Sequence, residues 1–223
     1  YKNIKDSNNK IESYLSRESS FLLNNVLLVL TSLIILWGVL FPVISIIFTG
    51  TEISVSAPYF DKTAGPILLG IIILMGIGPI LSWRKTTVRA TISRILPSLI
   101  LTIIFLVCLL ILGINKFFPL ISLCSIFFVL TIIIKEWVGG TKSRMTSSMN
   151  PLTAFSKMII SNRGRNGGYI VHIAILALAF GVVGTKFYDQ RIDTNINISE
   201  EIAFKNYNIL FENIDQEITN GNS

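Results

Sequence analysis

The sequence predicts an all-α polytopic membrane protein, with about five transmembrane helices followed by the start of an exported β-rich domain. Three observations carry this. The apolar residues come in long uninterrupted blocks rather than amphipathic stripes. Hydrophobic residues make up 51% of the 223 and charged residues only 14%, where a soluble domain of this length would carry about 25% charged. After Lys186 the composition changes: Thr194-Asn195-Ile196-Asn197-Ile198-Ser199 alternates at period two, and Tyr207-Asn208-Ile209-Leu210-Phe211-Glu212 is β-prone and partly alternating.

Residues 1–20 are polar and mixed in charge, and form a segment expected on the cytoplasmic side. The first span is read over 21–48; it exceeds the ~20 residues that a crossing needs, so tilt or a start at the membrane surface is expected. Pro42 near its far end should kink or terminate it. Residues 49–64 read as a short loop, in which Tyr59 and Phe60 suit the membrane interface and the residue before Pro58 is biased towards extended geometry. The second span is read over 65–83. Gly76, Gly78 and Pro79 weaken its helix locally, which a membrane bundle tolerates where neighbours satisfy the freed backbone. Spans three and four, over 95–114 and 118–134, are joined so tightly that they must form an antiparallel pair.

Residues 135–167 read as a cytoplasmic loop. Within it a short surface helix is predicted over 150–160, with Asn150 as its cap and Pro151 in its first position. The fifth span, 168–185, begins at Gly167-Gly168-Tyr169-Ile170-Val171-His172. Residues 186–223 form the exported, truncated β-rich segment. The chain begins at Tyr1 and ends in Asn-Gly-Asn-Ser before such a sheet could close, so a fragment of a longer chain is expected.

Lys and Arg concentrate in 1–20, 84–94 and 135–165, which places these segments in the cytoplasm and the tail after Lys186 outside. The net charge of +6 is therefore topology, and no nucleic-acid partner is expected. Cys108 and Cys124 lie inside predicted spans, outside any CxxC or CxxCH motif, and read as packing residues. No nucleotide-binding loop, zinc motif or Ser/His/Asp set occurs in the sequence.

His172 is the only histidine. An ionisable group inside a membrane helix is costly, which makes it the candidate functional residue. Gly167, Ala174, Ala177, Gly181 and Gly184 form a small-residue stripe that would let a neighbouring helix approach closely. The face of His172, with Gly168, Ile175, Leu176, Ala179 and Val183, is apolar, with room beside the imidazole for a flat apolar group. A haem suits such a face, since neutral imidazole is a standard axial ligand. Proton transfer and a plain hydrogen bond to a neighbouring helix stay open beside it. A single histidine cannot supply bis-histidine ligation, so a second ligand would come from outside the chain or from a methionine such as Met75. Lys157, Arg163 and Arg165 could meet a haem propionate or lipid head groups, or act only to stop transfer.

Four stretches, in order, resemble one family. Ser16-Arg17-Glu18-Ser19-Ser20-Phe21-Leu22-Leu23-Asn24-Asn25 is similar to the SRES…NN signature of CcmF-type cytochrome c biogenesis proteins. Trp37-Gly38-Val39-Leu40-Phe41-Pro42 with Val55-Ser56-Ala57-Pro58-Tyr59-Phe60-Asp61 resembles that family's GTLFP and VGxPYFN elements. Met75-Gly76-Ile77-Gly78-Pro79-Ile80-Leu81-Ser82-Trp83-Arg84 resembles MGIGPLLPWR, and Arg165-Asn166-Gly167-Gly168-Tyr169-Ile170-Val171-His172 resembles RRYGGYIVH. Val39, Ser56 and Ser82 depart from the usual threonine, glycine and proline.

The resemblance implies the C-terminal part of the haem lyase of system I cytochrome c maturation, in a bacterial inner membrane or the mitochondrial inner membrane. It implies that His172 is an axial ligand of a membrane-embedded haem b, with the partner histidine upstream of this chain. The implied partners are haem, apocytochrome c and other membrane subunits of the maturation machinery. The embedded haem would deliver electrons that keep the substrate haem reduced. The family's WWD segment and its two flanking exported-side histidines are absent from these residues, so the implied lyase activity belongs to the whole protein and not to this chain alone. Two competing readings are a non-enzymatic transporter or channel subunit, with His172 as proton relay and Gly76/Gly78/Pro79 as a broken helix, and a purely structural assembly subunit.

Overall fold

The computed structural model describes residues 16–81, 87–145, 150–188, 200–204 and 207–212. Helix α1 covers Arg17–Thr49. Ser16 starts it: its backbone is extended and its hydroxyl accepts from the Ser19 N–H at 3.1 Å, satisfying one of the first-turn donors. That cap, with Glu18 in the first turn, explains why the helix begins ahead of residue 21. Pro42 lies inside α1 and does not end it. The helix stops at Gly50, whose φ of 70° suits a residue without Cβ.

Helix α2, Ala57–Ile77, starts well before residue 65. Pro58 sits in its first turn, where the missing N–H has no partner to lose, so Tyr59 and Phe60 belong to the helix rather than to a loop. A 3₁₀ turn, Gly78–Ile80, follows α2, and the chain turns extended at Leu81. Helix α3 is Val88–Ile111, with Pro97 inside it, and α4 is Phe117–Lys142. Both begin or end beyond the apolar blocks read from the sequence, because Lys and Arg end a hydrophobic run without ending a helix. Helix α5, Pro151–Ser161, has the Asn150 side chain accepting from Leu152 N–H, as its cap residues predict. Helix α6 is Arg163–Tyr188; its first turn is made of residues that read as loop. Residues 135–167 are therefore largely helical rather than loop.

Among the described residues, α1, α2, α3, α4 and α6 are long and apolar enough to cross a membrane. α2 packs against α1 and α4, and α4 also packs on α3 and α5. The core is centred on α4, where Val129, Ile132 and Ile133 are buried. Phe105 and Phe127 stack at 4.2 Å between the antiparallel α3 and α4.

Glycine sets the two tightest approaches. The ring of Phe60 on α2 lies where a Cβ on Gly38 of α1 would be. A Cβ on Gly76 would stand 2.9 Å from Val129 Cγ2 on α4. Small residues let backbones close up where lipid supplies no hydrophobic drive for helix association.

The chain divides into two units, Tyr1–Gly184 and Thr185–Ser223. In the second, β1 (Glu201–Phe204) pairs antiparallel with β2 (Tyr207–Leu210), Glu201 opposite Leu210 and Phe204 opposite Tyr207. The alternating stretch 194–199 lies outside the described residues.

Gly76→Leu should destabilise the bundle by about 1–3 kcal/mol through overpacking against Val129. Gly65→Ala, on the same helix with nothing near its added Cβ, should be neutral or slightly stabilising. Thermal denaturation in detergent reads both; equal effects would contradict the α2–α4 approach.

Candidate functional site

One end of the bundle is polar, and it is built around the end of α2. The end of a helix leaves carbonyls without an intrahelical partner, and lipid cannot satisfy them. The Arg17 guanidinium, from the first residue of α1, donates to the Pro79 carbonyl at 2.6 Å. Arg94 of α3 donates to the Ile80 carbonyl at 3.1 Å, and Lys135 of α4 donates to the Arg94 carbonyl at 2.7 Å. Charge-assisted bonds of this kind are worth about 1.5–3 kcal/mol each. Four elements are thereby tied together at one level. The sequence signalled the break at Gly76, Gly78 and Pro79 but not which side chains would cover it.

Helix α6 begins at this same end. Asn166 is fully buried and its Nδ2 donates to the Met158 carbonyl of α5 at 2.9 Å. This bond holds the turn between α5 and α6, which explains why Arg163 to Asn166 are helical. One turn on, Tyr169 is 2% exposed. Another turn on lies His172, half-buried, its ring 6.3 Å from that of Tyr169 and edge-on to it at 74°.

Three polar atoms on this face are buried without a hydrogen-bond partner among the described residues: Asn166 Oδ1, Tyr169 OH and His172 Nδ1. Trp137 Nε1 on α4, whose ring packs edge-on against Phe155 of α5, is a fourth. Buried polar atoms are ordinarily bonded, so such a row asks for partners from beyond these residues.

The faces of α6 are arranged opposite to the reading from spacing. Leu176 and Val183, on the His172 side, are buried, while Ala174, Ala177 and Gly181 of the small-residue stripe are exposed. An added Cβ on Gly167, Gly181 or Gly184 would meet nothing. Spacing identifies the two faces correctly but cannot say which one the chain itself covers. His172 is thus joined by Tyr169 and Asn166, which spacing did not single out. Met75 lies half-buried on α2, just before the break. Arg163, Arg165 and Lys157 are exposed, and so is Cys108, which faces out of the bundle rather than into its packing. Among the described residues no three His, Cys, Asp or Glu side chains gather as a metal site. A metal at His172 would draw its remaining ligands from elsewhere.

No family profile matches the chain, and no solved structure matches it. Curated proteins do. The chain is 34% identical to the cytochrome c-type biogenesis protein ccl1 of Rhodobacter capsulatus over 91 residues, 41% of this chain and 14% of that protein. It is 25% identical to the cytochrome c-type biogenesis protein CcmF of Pseudomonas fluorescens over 199 residues, 88% of this chain and 29% of the relative. The Escherichia coli CcmF is 23% identical over 210 residues, 93% of this chain and 30% of its own length.

Along most of its length this chain is similar to curated proteins named CcmF, of cytochrome c-type biogenesis. It spans less than a third of the length of these relatives. The five apolar helices and this similarity make the chain a multi-pass membrane protein.

Arg17→Ala and Arg94→Ala should each cost about 1.5–3 kcal/mol by leaving a carbonyl of the α2 end unpaired. Arg17→Lys should recover part of the loss, since lysine carries the charge without the planar fork. Detergent thermal melts test this; unaltered melts for both alanine variants would contradict it.

Proposed function

We propose that this chain serves the covalent attachment of haem to apocytochrome c, and that His172 is one axial ligand of a membrane-embedded haem b. The observation that carries the reading is a half-buried imidazole within a helix long and apolar enough to cross a membrane, with a buried ring nitrogen that has no partner among the described residues. Its kinship with cytochrome c-type biogenesis proteins gives that imidazole a context. The residues present fit the group on this ground. A neutral histidine nitrogen is a haem-iron ligand, and the helix face around it is apolar. Haem b, when bound, supplies one-electron transfer.

The chain's own residues orient and enclose. Asn166 fixes the start of α6 against α5, Tyr169 holds the imidazole edge-on, and Leu176 and Val183 keep the helix face dry below it. The second axial ligand comes from outside this chain. The Arg17 end of the bundle lies on the cytoplasmic side, as the Lys and Arg distribution implies, and the tail after Lys186 lies on the exported side. There the whole protein meets apocytochrome c and the haem to be attached, with other membrane subunits of the maturation machinery. A cargo site at the break of α2 is less well supported, because the Pro79 and Ile80 carbonyls that would face the cargo are engaged by Arg17 and Arg94.

Reduced-minus-oxidised spectra of the protein purified from its membrane test the assignment. His172→Ala should abolish or strongly diminish the haem b signal at normal protein level. An undiminished signal would exclude His172 as a ligand.

A further inference from the structure

The polar end of the bundle holds a cavity that the fold leaves open. Its volume is about 330 Å³, and it is lined by Ile80 at the break of α2, Arg94 of α3, and Ile132, Lys135 and Glu136 of α4. The lining carries charge of both signs. Arg94 uses one N–H on the Ile80 carbonyl, and Lys135 uses one on the Arg94 carbonyl. A guanidinium has five such donors and an ammonium three, so both cations keep donors to spare. Glu136 is half-buried and makes no hydrogen bond or ion pair with another described residue. It lines the same cavity as the two cations without pairing with either.

The level of the cavity narrows the class of occupant. The apolar run of α3 starts just after Arg94, and that of α4 ends at Ile134, just before Lys135 and Glu136. Charged side chains at the edge of an apolar run meet the headgroup layer of a bilayer. Ile92 and Leu96 flank Arg94, Ile134 and Val138 flank the α4 pair, and all four are exposed. A ligand here meets both charges in the cavity and apolar helix surface beside it.

We propose that this cavity binds the headgroup of an ethanolamine phospholipid, its phosphate on Arg94 and Lys135 and its ammonium on Glu136. The phosphate takes the spare N–H donors of the two cations in charge-assisted bonds. The primary ammonium brings three N–H donors of its own to the carboxylate. A choline headgroup is also zwitterionic but has no N–H to donate, and a glycerol headgroup brings the phosphate without the cation. The acyl chains lie along the exposed apolar sides of α3 and α4. The site does not depend on the assignment of His172.

The test is native mass spectrometry of the protein purified from its membrane, stripped of lipid in detergent and titrated with dioleoyl lipids. The ethanolamine lipid should bind about tenfold tighter than the choline or glycerol lipid, the size of one charge-assisted contact. Glu136→Gln keeps the shape and removes no bond among the described residues. It should erase the preference over choline and leave the glycerol lipid bound as well as before or better. Lys135→Gln should weaken the ethanolamine and glycerol lipids alike. Glycerophosphoethanolamine, the same headgroup without chains, should compete poorly. If it displaces the lipid at comparable concentration, the ligand is a soluble phosphoester and the lipid assignment fails. Equal binding of all three lipids by the wild type, or an ethanolamine preference that survives Glu136→Gln, overturns the proposal.

Discussion

Two arginine side chains close the end of α2 and tie it to α1 and α3. Lipid offers no hydrogen bonds, so a helix that stops inside or near the membrane must find donors within the protein. Pro79 and Ile80 present carbonyls beyond the last regular turn, and Arg17 and Arg94 reach them from two different helices. Lys135 then binds the Arg94 carbonyl from a third. Long basic side chains suit this position, since their stems lie along apolar surface while the charged heads reach the interface. Basic side chains thus hold this end of the bundle together. Gly38 and Gly76 allow α2 to sit close enough to α1 and α4 for this geometry.

The polar face of α6 continues from that end. Asn166, Tyr169 and His172 follow one another at three-residue steps, so an anchor, a buried hydroxyl and an imidazole lie along adjoining rows of α6. The apolar residues that follow on this face, Leu176 and Val183, are buried, and no further buried polar residue follows them in the helix.

Much of this could be read from residues alone, and what could not has a physical reason. The apolar blocks announced the five long helices, and Asn150-Pro151 announced α5, because cap and first-turn preferences are local. Helix ends were misplaced where charge and helix propensity disagree: α4 runs on through Lys135 and Glu136 to Lys142, and α6 starts at Arg163. Pro58 read as loop yet opens a helix, since proline favours both and only the following turn decides. His172 stood out by being the sole histidine. Tyr169 and Asn166 did not, because their significance lies in burial and missing partners, which are tertiary facts. The exposed small-residue stripe of α6 shows the same limit. Periodicity separates two faces of a helix, and only the fold says which is covered.

The most direct measurement is a cryo-EM map of the haem-containing protein in lipid. It should show density joining the His172 imidazole to an iron-porphyrin, with Arg17 still seated on the Pro79 carbonyl at the same end of the bundle. A porphyrin ligated entirely by other residues, with the His172 ring turned into a helix contact, would contradict the account.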